Sequence, residues 1–195
     1  MKIPDDLKKA IRAMPEKEKD KLLLRLIPKN LMLMNQLHFK LIEEENTTEE
    51  RRESVKSRIS SRASYYPNQF YSPGYLMMEM RELSGLINDH VSVTKDKHGE
   101  IELQLWLLNS LIAKNAEKLL DCDYYSRVKF NEYVVKRAKK ITTLLSKIHE
   151  DYLMDYSDDL QQLGKLFLQL KLERAMANED FQINDLIDPA SIYGH

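Results

Sequence analysis

The strongest hydrophobic pattern in the chain runs over residues 101–120, IELQLWLLNSLIAKNAEKLL. Ile101, Leu105, Leu108, Ile112, Ala116 and Leu119 recur at helical spacing, and Leu103, Leu107 and Leu111 form a second stripe beside them. A helix apolar over so much of its circumference is enclosed by neighbours. This segment, which carries the single tryptophan Trp106, is therefore read as the central helix of the fold. A rival pattern overlaps it. Residues 90–94 and 101–105 both alternate apolar and polar, and Lys95-Asp96-Lys97-His98-Gly99 between them is turn material, the signature of a small β-hairpin over 91–105. The helix is preferred because Glu, Leu and Gln are good helix formers, and the apolar pattern continues past Ser110 without a turn residue.

Helical spacing organises the rest of the chain as well. Leu7, Ile11 and Met14 share a face over residues 3–14, with Asp5 and Asp6 placed to favour a helix N-terminus. Pro15 opens a second helix carrying Leu22, Leu23, Leu24, Leu26 and Ile27, which Pro28 ends. A third, from Asn30 to Glu45, turns Leu31, Met34, Leu37, Leu41 and Ile42 inward. A polar fourth helix over 48–64 offers little beyond Val55 and Ile59 for burial, and Thr47 with Glu50 forms a capping box before it. The aromatic, proline-broken stretch from Tyr65 to Tyr75 reads as an ordered loop. Ser72-Pro73 then starts a fifth helix that reaches His90, with Leu76, Met77, Met80, Leu83 and Ile87 inward. Past the central helix, Phe130, Val134, Ala138, Ile141, Leu145, Ile148 and Tyr152 define a regular helix over 126–156. Its heptad-like seam belongs in a bundle core, with a homodimeric coiled coil through 126–156 as the alternative. A last helix over 158–177 carries Leu160, Leu163, Phe167 and Leu170. The expected architecture is all-α: an irregular bundle of about seven helices in a single domain over residues 1–180. The aperiodic but apolar tail, 181–195, is placed to dock on the body or on a partner.

Composition agrees with this class. The 195 residues are 43% hydrophobic and 31% charged with only 5 Gly, which suits long amphipathic helices better than a β-sandwich. A net charge of -1 gives no global attraction to nucleic acid or membranes. Cys122 is the single cysteine, so no intrachain disulfide forms and a reducing compartment is expected. The segment MKIPDDLKKAIRAM lacks an apolar signal core, and no run of about 18 apolar residues exists. A cytoplasmic chain without a membrane partner is the expectation.

The candidate chemistry is sparse. His38, His90, His98, His149 and His195 lack the spacing of a helical di-iron site, and neither HExxH nor CxxC occurs, so no metal site is expected. His149-Glu150-Asp151 is the densest ligand-like cluster and reads as a solvated helix surface. Phosphate-binding glycine loops and a GxSxG elbow are missing. Glu79 and Glu82 have the ExxE spacing with which all-α nucleoside triphosphate pyrophosphohydrolases hold Mg²⁺, but no matching second motif follows downstream. Arg51, Arg52, Lys56, Arg58 and Arg62, followed by Tyr65, Tyr66, Phe70, Tyr71 and Tyr75, form a basic-aromatic stretch over 51–75 that suits single-stranded RNA. A second basic run is Lys136, Arg137, Lys139 and Lys140, opposed by nine acids from Asp151 onward. Clustered methionines, among them Met32, Met34 and Met77, suit either core filling or an adaptable groove.

By elimination, the sequence reads as a non-enzymatic protein-interaction or adaptor module whose partner is another protein. Two alternatives stay open: an RNA-binding protein using residues 51–75, and a Mg²⁺-dependent pyrophosphohydrolase using Glu79 and Glu82. Mg²⁺ is implied only by the last, and no other cofactor is expected.

Overall fold

A computed structural model of the chain describes residues 3–43, 47–188 and 191, and every regular element among them is helical. Three short helices come first: α1 (Asp5–Ala13), α2 (Glu16–Leu26) and α3 (Leu31–Leu41). Pro15 and Pro28 separate them, the latter inside a 3₁₀ turn at Ile27–Lys29. The Asn30 side chain caps α3 by accepting from the Leu33 amide at 3.0 Å. Then come α4 (Thr47–Tyr65), a 3₁₀ turn (Tyr66–Gln69) and α5 (Pro73–Thr94), with Ser72 as the cap and Pro73 in the first turn. The Asp96 side chain starts α6 (Lys97–Asp121), and Asp123 starts α7 (Tyr124–Leu145). A 3₁₀ segment (Glu150–Tyr156) leads into α8 (Ser157–Gln169), α9 (Glu173–Asn178) and α10 (Asn184–Ile187).

The centre is α6, which packs against α4, α5, α7 and α8. Ile101, Leu103, Leu105, Leu107, Leu108, Leu111, Ile112 and Leu119 have no exposed surface. Each such side chain contributes roughly 1.5–3 kcal/mol relative to exposure, so this one helix dominates the core. Trp106 sits at its edge, donating its indole N–H to Ser60 Oγ at 3.1 Å under the Lys56 ammonium. Residues 91–94 complete α5 and 97–105 open α6, so the hairpin alternative gives way to a two-residue break. Lys95 makes that break in the left-handed conformation (φ 61°), and the Asp96 carboxylate captures the Gly99 amide at 2.8 Å, starting a helix where a strand would need an open amide.

Two expectations about helix faces are corrected. None of the residues of α1, α2 or α3 is buried. Of the faces expected to turn inward, Met14, Leu22, Ile27 and Leu37 are half-buried and the rest stays open, with Leu24 72%, Leu31 69% and Leu41 73% exposed. The arm touches the body chiefly through α3 against α5, where the Gln36 side chain donates to the Ser92 carbonyl at 2.9 Å. Residues 44–45, expected to end the third helix, lie outside the described residues. The helix expected over 126–156 ends at Leu145, and Tyr152 is exposed. No proline or glycine forces this stop. The chain turns there because Leu153 and Tyr156, not Tyr152, reach the core. The seam residues Phe130, Val134, Ala138, Ile141 and Leu145 pack into the chain's own core.

The polar fourth helix buries only Val55, Ile59 and Ala63, enough to seat it on α6. The tail docks through Phe181 and Leu186, both buried, with α10 lying against α8 at Gly164. Ile192, Tyr193 and His195 lie outside the described residues.

Candidate functional site

The basic stretch of α4 is divided among several faces. Arg51 donates from Nε to Glu43 Oε2 at 2.8 Å, which pulls the Glu43 carboxyl down to about 2. Arg52 lies 2.9 Å from Asp96 and 3.2 Å from both Glu49 and Glu102. The Lys56 ammonium is 2.6 Å from Glu102. Arg62 bridges Glu79 at 3.0 Å and Glu82 at 3.3 Å. Only Arg58 of the five has no ion pair among the described residues. Of the rings, Tyr65, Tyr71 and Tyr75 are exposed, Phe70 is half-buried and Tyr66 is buried. The second basic run is likewise taken up by the fold. Lys136 pairs with Glu179, Lys139 donates to the carbonyls of Glu179 and Asp180, and Lys140 pairs with Glu100. Arg137 donates to Ser84 and Gln104 between the helices.

Glu79 and Glu82 do share a face of α5, as their spacing requires, but the Arg62 guanidinium lies across both. Burial raises the Glu79 carboxyl above its ordinary value despite that arginine. Among the described residues, no group of three or more His, Cys, Asp or Glu is placed to hold a metal ion.

A polar crevice of about 480 Å³ lies where α4, the start of α6 and the Glu150–Tyr156 segment meet. Arg52 on its wall donates to Asp96, which also accepts from the Gly99 amide and whose Oδ2 lies 3.2 Å from His90 Nε2. Burial pushes the Asp96 carboxyl up, but these contacts outweigh it and hold the group at about 2. Tyr156 Oη lies 3.0 Å from His98 Nδ1, and burial, with Asp155 and Glu102 nearby, pushes the phenol up to about 12. Tyr156 is thus a hydrogen-bond donor at neutral pH, not a base. Burial also raises Asp159. The charges here compensate one another across helix junctions, which is an arrangement that fastens helices together.

A different surface lies at the other side of the α5–α6 break. One pocket of about 290 Å³ has Val91, Ile101, Leu144 and Ile148 as walls, with Lys95, Lys97 and Lys147 at its edge. A second, of about 470 Å³, lies between α3 and the end of α5, with Leu33, Leu37 and Phe39 on one side and Lys40 and Lys95 at the rim. Lys95 borders both, so the two are neighbours and together are called the groove. Lys40, Lys95, Lys97 and Lys147 are all exposed, and none has an ion pair among the described residues. The acid inside this groove, Glu100, is held by Lys140. The sequence gives no signal of this site, because its four lysines come from three distant segments and each alone resembles a solvated surface lysine.

Comparison of the chain with protein-family models, with curated proteins and with solved structures finds no match. Among the described residues, no helix is long and apolar enough to cross a membrane.

Proposed function

We propose that this chain is a cytoplasmic, non-enzymatic protein-interaction module, and that the arm α1–α3 is its partner-binding element. One observation carries the reading: the arm contains no buried residue, yet exposes Leu7, Ile11, Leu24, Leu31, Leu41 and Ile42. Helices of 9 to 11 residues are marginal alone in water and draw most of their stability from packing an apolar face. Apolar exposure on this scale marks an interaction surface. The nucleic-acid alternative lacks comparable support, since Arg51, Arg52, Lys56 and Arg62 are engaged by carboxylates. So does the pyrophosphohydrolase alternative, since Arg62 occupies both members of the ExxE pair.

The test is affinity purification of the full chain after nuclease treatment, beside a Leu7→Asp/Leu24→Asp/Leu41→Asp variant. The native chain is expected to retain a defined protein partner, and the variant to lose it while its melting temperature stays unchanged. Adding the purified partner should slow amide exchange in α1–α3. Equal capture by the variant, or capture that disappears with nuclease, overturns the reading.

A further inference from the structure

We infer that the lysine-rimmed groove between α3, the α5–α6 break and the end of α7 receives an acidic segment of a partner protein. Two apolar side chains of that segment fill the paired pockets, and its carboxylates lie over Lys40, Lys95, Lys97 and Lys147. The inference rests on the interaction reading above and names the chemistry of the partner.

Charge distribution is the first argument. The chain is almost neutral overall, with 30 Lys and Arg against 31 Asp and Glu. Most of the cations singled out elsewhere in the fold are matched: Arg51 by Glu43, Arg52 by Asp96, Lys56 by Glu102, Lys140 by Glu100. Many other surface lysines and arginines also lack an ion pair among the described residues, but at the groove four lysines gather around apolar pockets. They face solvent there without an ion pair among the described residues, and Glu100, the acid beside them, is already engaged. An unmatched cationic rim steers and selects an anionic partner.

Shape and lining decide which anion. The groove walls are aliphatic, with Phe39 the single ring, so there is no row of aromatics on which bases would stack. The cations are lysines, point charges on flexible stems, and not the arginine forks that grip phosphates in two-point fashion. The apolar surface is recessed between helices. A bilayer would need it to protrude, whereas a peptide can lower side chains into it. Each pocket has room for a large apolar side chain. The wall formed by Leu33, Leu37 and Phe39 belongs to α3, so the groove is continuous with the exposed arm.

The experiment is panning of a random-peptide phage library on the full chain, followed by fluorescence anisotropy with the peptides recovered. Acidic sequences with spaced apolar residues should be enriched, and their affinity should fall as salt rises. The variant Lys95→Glu/Lys97→Glu/Lys147→Glu should bind them about tenfold or more weakly, with an unchanged circular dichroism spectrum. Enrichment of neutral or basic sequences, failure to enrich acidic ones, or equal binding by the charge-reversed variant overturns the inference. Sedimentation with phosphatidylserine vesicles that depends on the same lysines, without peptide binding, would replace the peptide by a membrane and overturn it too. The arm is tested separately. If the Leu7/Leu24/Leu41 variant loses the partner while charge reversal leaves capture intact, the groove inference falls and the interaction reading stands. If the arm variant keeps the partner, that reading falls, whatever the library yields.

Discussion

The Arg52 guanidinium meets the Asp96 carboxylate at 2.9 Å directly over Gly99, where an added β-carbon would lie 2.7 Å from Arg52 Nε and 2.6 Å from Asp96 Cγ. Gly99 is not in a left-handed conformation, so backbone freedom does not explain it. Close approach does. The missing side chain lets α4 clamp onto the first turn of α6 through the carboxylate that also caps that turn.

Gly99→Ala is therefore expected to destabilise the fold, although alanine is favoured over glycine inside a helix by about 1 kcal/mol. The methyl group displaces Arg52 or Asp96 and leaves a buried charge without its partner, at a cost of roughly 2–4 kcal/mol. Urea unfolding of the two proteins measures it. An alanine variant as stable as the native chain would mean that the clamp contributes little.

Acid should reveal the same clamp. Asp96 is held at about 2 in the folded chain against an ordinary 3.8. The unfolded chain thus binds more protons between these values, and stability falls as pH falls. The contribution, about 2 kcal/mol, is complete above about pH 5 and is lost as pH drops through 4 toward 2. Asp96→Asn should melt lower at pH 7 and show a flatter acid limb. Asp159 works in the opposite sense: burial raises its carboxyl, so ionisation opposes folding there and Asp159→Asn should raise the melting temperature at pH 7. Thermal melts from pH 2 to 7 on the three proteins check both signs.

Tail docking depends on another close approach. A β-carbon on Gly164 of α8 would lie 3.3 Å from Ile187 Cγ1 and 3.4 Å from Leu186 Cβ, and Leu186 is fully buried. Gly164→Val pushes branched bulk into that contact and should cost roughly 1–3 kcal/mol. The expected readout is faster proteolytic cleavage after Asp180, with the rest of the chain intact. Unchanged cleavage would show that α10 does not need the gap.

These relationships mark where the sequence could be read and where it could not. The central helix was legible because its apolar residues are contiguous and its stripes overlap. The start of α5 was legible because Ser72 and Pro73 are neighbours in the chain. The arm misled in a specific way: periodicity reports an amphipathic face, but it cannot say whether that face meets the chain's own core. The end of α7 was hidden because no proline or glycine marks it, only the competition between Tyr152 and the pair Leu153 and Tyr156 for the core. The neutralisation of α4 was hidden because Arg52 finds Asp96, and Lys56 finds Glu102, across more than forty residues of sequence. The groove was hidden for the same reason, since Lys40 and Lys147 come together only after folding.

Lys95 offers the sharpest separation of stability from binding. Its left-handed backbone (φ 61°) follows the last turn of α5, with its amide donating to the Val91 carbonyl at 2.9 Å. A β-carbon in that conformation costs about 1 kcal/mol, which glycine avoids. Lys95→Gly should therefore unfold at higher urea, by about 0.5–1 kcal/mol, while removing the one lysine that borders both pockets. Acidic peptides should bind this more stable variant several-fold more weakly, and the difference should shrink as salt rises. Reduced binding cannot then be laid to a damaged fold. Binding equal to that of the native chain would take Lys95 out of the recognition rim and leave its conformation as a matter of helix termination alone.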